Sequence, residues 1–327
     1  MWSALSYVWT GQGGIWFMVC LSMSNIYFND IFYLKLNADS YNYADDIIAS
    51  VIGNDVSEIR TTLVNEAQIM NTWFKENSME ANATKFQSSL ITPPYGTCQE
   101  LGIVISDTQI TSVSHFKVLG VSFDNHLNFR CHVDGILKKA NRQLYVLKRL
   151  QGVLDLKSRE AIYKSFMTAN FNYCPVVWMF AAKCDLLRLE RLQERALRYV
   201  YKKHSCDITE LFSKANCLPI RLSNVHKLAT EMYKCMNDMN PQYFKTMFQT
   251  KRTEYHLRDS DLLVQPRVRT STFGLKSVTY FGPKLWNMLP SEIKSAATVG
   301  SFKLRLSMWK GPSCQCHLCT LMFGICR

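Results

Sequence analysis

Residues 2–29 contain no charged side chain, although Asp, Glu, Lys and Arg make up 20% of this 327-residue chain. Such a gap invites a secretory signal or a membrane helix, and the sequence lacks the marks of both. The basic start that a signal peptide requires is missing. The only solid apolar run, residues 15–21, is too short to cross a bilayer, and Gly11, Gln12, Gly13 and Gly14 stand just before it. A membrane is therefore not expected as a partner. Internal repeats and low-complexity tracts are absent too, which excludes solenoid arrays and compositionally biased linkers. Without a secretory signal, the 12 cysteines do not read as a disulfide framework. Cys20, Cys98, Cys131, Cys174, Cys184, Cys206, Cys217 and Cys235 are scattered among segments of apolar periodicity. Reduced, mostly buried thiols in an intracellular protein of the nucleus or cytoplasm are the expectation.

Apolar residues are plentiful. At 47% hydrophobic and 12% aromatic, the chain can bury a core, and its length favours two or three domains. The formal net charge is +12, which points to a polyanionic partner, nucleic acid before membrane. That excess is concentrated. Between positions 138 and 203 there are 15 lysines and arginines against five acids, whereas the first 57 residues carry one lysine and five aspartates.

The acidic end contains Tyr43-Ala44-Asp45-Asp46, set between β-prone runs at residues 38–42 and 47–51. Two neighbouring carboxylates on a hairpin turn repel each other and resist burial. A divalent cation resolves both problems, and Mg²⁺ prefers a few carboxylate oxygens together with water and phosphates. The pattern suits metal-assisted phosphoryl transfer. An ordinary Asp-Asp turn on a solvated loop is the other reading of the same four residues.

Downstream, Ile59, Leu63, Ala67, Met70 and Phe74 have helical spacing, with Ser57 and Glu58 where a cap and an acid belong. Strand-like runs follow at residues 100–106, 109–113 and 116–124. From residue 128 the pattern turns helical. Val133, Ile136, Leu137, Ala140, Leu144 and Leu147 form an apolar face, with Lys138, Lys139 and Arg142 off it. Further helices are expected at residues 158–170, 183–203, 222–236 and 301–309. On the second of these, Arg188, Arg191, Arg195, Arg198 and Lys202 form one basic stripe. Its alternatives are a solvated face balanced by Glu190 and Glu194, or a helix lying along a phosphate backbone. Beyond residue 251 the pattern loosens at Pro266, Gly274, Gly282, Pro283, Pro290 and Gly300.

The order of these pieces resembles the C-terminal part of a non-LTR retrotransposon (LINE-type, jockey-like) reverse transcriptase. The resemblance rests on Tyr43-Ala44-Asp45-Asp46, the approach Asn25-Ile26-Tyr27-Phe28-Asn29-Asp30-Ile31, and Trp73-Phe74-Lys75-Glu76-Asn77 followed by Asn82-Ala83-Thr84-Lys85. Phe116-Lys117-Val118-Leu119-Gly120-Val121, and Gly282-Pro283-Lys284-Leu285-Trp286-Asn287-Met288-Leu289-Pro290 with Ser301-Phe302-Lys303, complete it. It implies an α+β fold: a partial palm of antiparallel strands with one helix over residues 24–127, a helical thumb over 128–250, and a small irregular region over 251–327. Residues 1–23 would be an atypical uncharged N-terminal segment.

By the same resemblance, Asp45 and Asp46 would be catalytic Mg²⁺ ligands and Tyr43 would set the hairpin near the template–primer. Lys85 would meet the phosphates of an incoming deoxynucleotide; otherwise it is a surface lysine. Leu119 and Gly120 would position the primer strand; otherwise they are a plain strand and turn. The basic helices would hold an RNA template and DNA primer by their phosphates. The family takes a third carboxylate from a strand before the hairpin, and only 42 residues precede Tyr43. Its Gln-Gly element has only a faint echo at Gln12-Gly13. A truncated or decayed polymerase is therefore expected, with the hairpin's neighbour strand missing and no activity by itself. The alternative is a non-catalytic nucleic-acid-binding module; an interaction protein working through the uncharged N-terminus ranks last. Cys314, Cys316 and Cys319 make a Cys-rich tail that matches no standard zinc spacing, so free thiols are expected there rather than bound Zn²⁺.

Overall fold

The computed structural model describes residues 3–10 (backbone only), 29–43, 46–79, 85–93, 101–105, 108–110, 112–203, 205–250, 262–309, 311–312 and 316–323. The class is α+β, with small antiparallel strands first and helices after. Two compact units divide the chain, Met1–Cys131 and His132–Arg327.

The first unit is built on strands β1 (Ser3–Thr10), β2 (Asp39–Tyr43), β3 (Asp46–Gly53) and β4 (Gln87–Ile91), in the order β2-β3-β1-β4 and antiparallel throughout. Helix α1 (Val56–Glu76) connects β3 to β4. In β3, Ile47, Ala49 and Val51 are buried while the residues between them are only partly covered. That period of two turns one strand face onto α1, whose Ile59, Leu63, Met70, Trp73 and Phe74 share the same core. Asp55, rather than Ser57, caps the helix: its carboxylate accepts from Ser57 N at 3.4 Å. Buried Glu66 reaches out of α1 to accept from the backbone N and the side-chain amide of Asn37, both at 3.1 Å. The helix thereby fixes the loop that feeds β2.

Strand β1 overturns one expectation. The hairpin does have a neighbour, because β1 pairs with β3 from Ser3↔Gly53 to Thr10↔Asp46. The uncharged residues Ser3–Thr10 suit a strand flanked on both sides by others. The run expected at 116–124 is also not one strand. It folds into a hairpin of β7 (His115–Val118) and β8 (Val121–Asp124), after the short pair β5 (Ile103–Ile105) and β6 (Thr108–Ile110). Buried Asp124 ends this hairpin by accepting from the backbone N of His126, Asn128 and Phe129 at 3.0, 3.0 and 2.8 Å.

Helix α2 (Arg130–Leu150) opens the helical part and buries the expected apolar face. Next, α3 (Leu156–Ile162) runs through a π-helical turn, Tyr163–Met167, into α4 (Thr168–Asn172). After α5 (Pro175–Trp178) come α6 (Lys183–Tyr201), α7 (Ile208–Ala215), α8 (Ile220–Met236) and α9 (Gln242–Thr246). Buried Arg159 ties three loop and helix ends together, donating to the carbonyls of Val200, Gln151 and Leu154 at 2.7, 3.1 and 2.9 Å. The expected loosening beyond residue 251 is not seen around Gly282-Pro283. Helix α10 (Val278–Met288) runs straight through both, followed by α11 (Ser291–Lys294), α12 (Val299–Met308) and α13 (His317–Phe323). Gly282 permits close packing on α8: a Cβ there would lie 2.7 Å from Met232 Sδ. Tyr233 of α8 stacks on Phe302 of α12 with ring centroids 4.4 Å apart. Among the described residues, no helix is long and apolar enough to cross a membrane.

The thiols also depart from expectation. Of the eight cysteines described, Cys235 and Cys319 are buried, whereas Cys131, Cys174, Cys184 and Cys316 are exposed. None of the eight forms a disulfide. Cys131 and Cys184 sit in the first turns of α2 and α6, where the outward face is polar.

Candidate functional site

The β2–β3 register pairs Tyr43 with Asp46 directly, so the hairpin closes through the two residues between them. Those two, Ala44 and Asp45, lie outside the described residues, and Asp45 as a metal ligand falls there. Tyr43 is exposed and Asp46 partly covered. Both stand on the sheet face opposite Ile47, Ala49 and Val51, so the helix-covered side is not theirs.

The register continues across the sheet. Thr10 faces Asp46 on one side, and Val8 pairs with both Ile48 and Gln87. Lys85, which is partly exposed, lies in a helical turn two residues before β4 begins at Gln87, outside the ladder. Asp46 and Lys85 are thus drawn to the same end of the sheet although 39 positions separate them in the numbering.

Among the described residues, this end of the sheet offers fewer carboxylates than two divalent ions need. A two-metal site needs several carboxylate oxygens around ions about 4 Å apart. Asp46 supplies one carboxylate, while β1, the strand next to it, contains neither Asp nor Glu and presents a threonine at the matching position. Among the described residues no group of three His, Cys, Asp or Glu side chains is placed to hold a metal.

Leu119 and Gly120 form the two-residue turn of the β7–β8 hairpin, with φ of 45° and 84°. Two positive φ values are the mark of a tight hairpin whose twist matches its strands. Glycine adopts that conformation freely and leucine does not. Leu119 is nonetheless exposed, at 40%. Beneath the turn, Phe116 and Phe123 stack with centroids 5.4 Å apart.

In the helical unit, Lys138, Lys139 and Arg142 are exposed on α2, in ion pairs with no described residue. The stripe on α6 is less uniform than its spacing suggests. Arg188 is held by Asp134 at 2.8 Å and Asp185 at 3.0 Å, which raises its pKa. Arg198 bonds Glu194 at 2.8 Å and the Cys206 carbonyl at 3.0 Å. Lys202 is exposed and forms the left-handed C-cap of the helix. Arg191 and Arg195 are exposed and unpaired among the described residues. The acids that could balance them are engaged elsewhere. Glu190 takes both nitrogens of the Arg221 fork at 2.9 and 2.8 Å, and Glu194 takes Arg198. Of the two acids in the solvated-face reading, Glu194 balances Arg198 of the stripe, whereas Glu190 is drawn away by an Arg221 contact 31 residues distant that no local spacing could reveal.

At the C-terminal tail, Cys314 lies outside the described residues. Exposed Cys316 accepts from Lys284 Nζ at 3.0 Å, and buried Cys319 points its thiol at Met288 Sδ, 3.9 Å away.

No protein-family profile matches the chain, and no solved structure matches it. Curated proteins do. The chain is similar to a probable RNA-directed DNA polymerase from transposon BS of Drosophila melanogaster, with 24% identity over 166 residues, 48% of this chain and 18% of that protein. It is likewise similar to the RNA-directed DNA polymerase from mobile element jockey of Drosophila funebris, at 24% over 161 residues, 48% of this chain and 17% of the relative. A third relative is a probable RNA-directed DNA polymerase from transposon X-element of Drosophila melanogaster, at 25% over 127 residues. The matched stretch spans less than a fifth of the length of each relative. The chain is a distant, partial relative of the reverse transcriptases of non-LTR retrotransposons.

Proposed function

We propose that this chain is a segment of an RNA-directed DNA polymerase, contributing a palm hairpin and a cationic helical arm that grips the template–primer duplex. The observation that carries this reading is that β3 begins with Asp46 and β4 begins just after Lys85 at the same end of one sheet, in a chain similar to retrotransposon polymerases. Bound Mg²⁺ would supply charge neutralisation for nucleotidyl transfer in such an enzyme. Here Asp45 and Asp46 would hold it, Lys85 would meet phosphate oxygens, and Leu119-Gly120 would lie against the primer. Lys138, Lys139, Arg142, Arg191, Arg195 and Lys202 would hold phosphates without reading sequence, with Arg188 and Arg198 shaping the arm.

The absence of a carboxylate on β1 supports a second reading, in which the chain binds nucleic acid without catalysing transfer. Primer extension on an RNA template separates the two. The chain alone is expected to be inactive. Mixed with a polymerase fragment supplying fingers and the missing carboxylate strand, it regains Mg²⁺-dependent extension that Asp45→Ala and Asp46→Ala abolish. Extension that persists in both variants would remove the hairpin from the chemistry; duplex binding with no recovery in any mixture would favour the binding module.

A further inference from the structure

A cavity of about 280 Å³ lies within the helical unit, between α4, α6 and α8. Its size is just below the usual range for ligand pockets, which restricts it to a small ligand no larger than about a mononucleotide. Two buried amides in its lining have unmet hydrogen-bonding capacity. Asn224, 1% exposed, has no partner for either its side-chain oxygen or its nitrogen, and Gln193, 4% exposed, has none for its oxygen. Gln193 is otherwise well held, donating through Nε2 to the Leu218 carbonyl at 3.0 Å and to Tyr163 OH at 3.3 Å. A buried amide with neither bond made is costly, and native structures rarely tolerate one without a ligand or water to satisfy it.

The remaining lining defines the complement. Lys227, one turn along α8 from Asn224, reaches the side-chain oxygen of Asn172, and burial pushes its ammonium down to about 8. No Asp or Glu lines the cavity, so Lys227 has no carboxylate there to satisfy it. Tyr163 and Phe171 add aromatic walls. A planar amide offering one donor and one acceptor side by side matches a –CO–NH– edge, and an ammonium beside it matches an anion. We propose that this cavity binds a small lactam-bearing anion, with the chemistry of a pyrimidine mononucleotide, the lactam edge on Asn224 and the anionic group on Lys227. The arginine stripe has no part in this site: Gln193 enters the cavity from α6, whereas Arg191 and Arg195 on the same helix are open to solvent.

The test compares UMP, uridine and inorganic phosphate on the full chain, by titration calorimetry and thermal shift. UMP is expected to bind and raise Tm, with uridine and phosphate each at least about tenfold weaker, since a bond to a charged group is lost in one case and the ring contacts in the other. Lys227→Met should reduce UMP affinity to that of uridine and leave uridine unchanged. Asn224→Leu should raise the ligand-free Tm, because an unsatisfied amide is removed, while abolishing the UMP shift. If Asn224→Leu does not fold, Asn224→Asp, which replaces the donor by a second acceptor, should lose the UMP shift in its place. Arg191→Ala/Arg195→Ala should bind UMP normally. Equal binding of UMP and uridine, a UMP shift that survives substitution of Asn224, loss of binding in the stripe variant, or no binding by any of the three probes would each overturn the assignment.

Discussion

Arg221 is 6% exposed, and its guanidinium grips Glu190 with two parallel bonds while its own backbone N donates to the same carboxylate at 3.3 Å. Taking two charges out of water costs nearly what their attraction returns, so the pair is a poor source of net stability but an expensive one to break. Arg221→Met should destabilise the protein by up to about 3–5 kcal/mol, because the largely covered Glu190 carboxylate loses its cation and keeps only the backbone N of residue 221. The double variant Glu190→Gln/Arg221→Met should regain much of that loss in urea titration; equal instability of the single and double variants would show that packing, not charge, is at stake. At Leu119 the sign reverses. A leucine held at φ 45° carries a strain of roughly 1–2 kcal/mol that glycine does not. Leu119→Gly should therefore raise stability by about 1 kcal/mol. If the side chain serves a primer strand, the same substitution should weaken duplex binding while it stabilises the fold.

Among the elements, α1, α2 and α6 were legible because each has a continuous apolar stripe that local spacing displays. Their buried residues match the expected ones closely: Ile59, Leu63, Ala67, Met70 and Phe74 in α1, and Val133, Ile136, Leu137, Ala140, Leu144 and Leu147 in α2. Strand β1 was not legible, since its pairing depends on partners more than 30 residues away and its uncharged composition invites a secretory signal or a membrane helix instead. The β7–β8 hairpin was read in part, because a leucine in the left-handed region is not a sequence signal for a turn. Helix α10 was obscured by Gly282 and Pro283, two residues that usually end helices. The reason for the glycine is tertiary. With Met232 Sδ only 2.7 Å from where a Cβ would be, Gly282→Ala should cost about 1–3 kcal/mol from overpacking, despite alanine's better helix propensity. Met232→Ala alone should also destabilise, by opening a cavity. Combining the two should cost less than the sum, since each relieves what the other creates. Additive losses in a denaturant double-mutant cycle would mean that α8 and α10 do not meet through this contact.

Across the molecule, the excess of 12 positive charges matters less than how many of them remain unpaired. Internal partners remove Arg188, Arg198 and Arg221 from the pool. Lys138, Lys139, Arg142, Arg191 and Arg195 remain exposed. If these cations neutralise phosphates, each releases condensed counterions on binding, and the plot of log affinity against log salt loses about 0.9 of slope for every phosphate contact removed. Arg191→Ala/Arg195→Ala should therefore reduce the slope by about 2 on an RNA–DNA hybrid, measured by fluorescence anisotropy between about 50 and 200 mM salt. The same change should leave Tm nearly untouched, because neither side chain has a partner among the described residues. Arg188→Ala should do the opposite. Its loss frees Asp134 and Asp185 from their shared cation, so Tm should fall while the slope changes by less than one contact's worth. If both variants shift the slope equally, the whole stripe meets phosphate and the internal pairs open on binding. A slope that neither variant alters would mean that α6 does not face nucleic acid, and the cationic arm would then have to be sought on α2 alone.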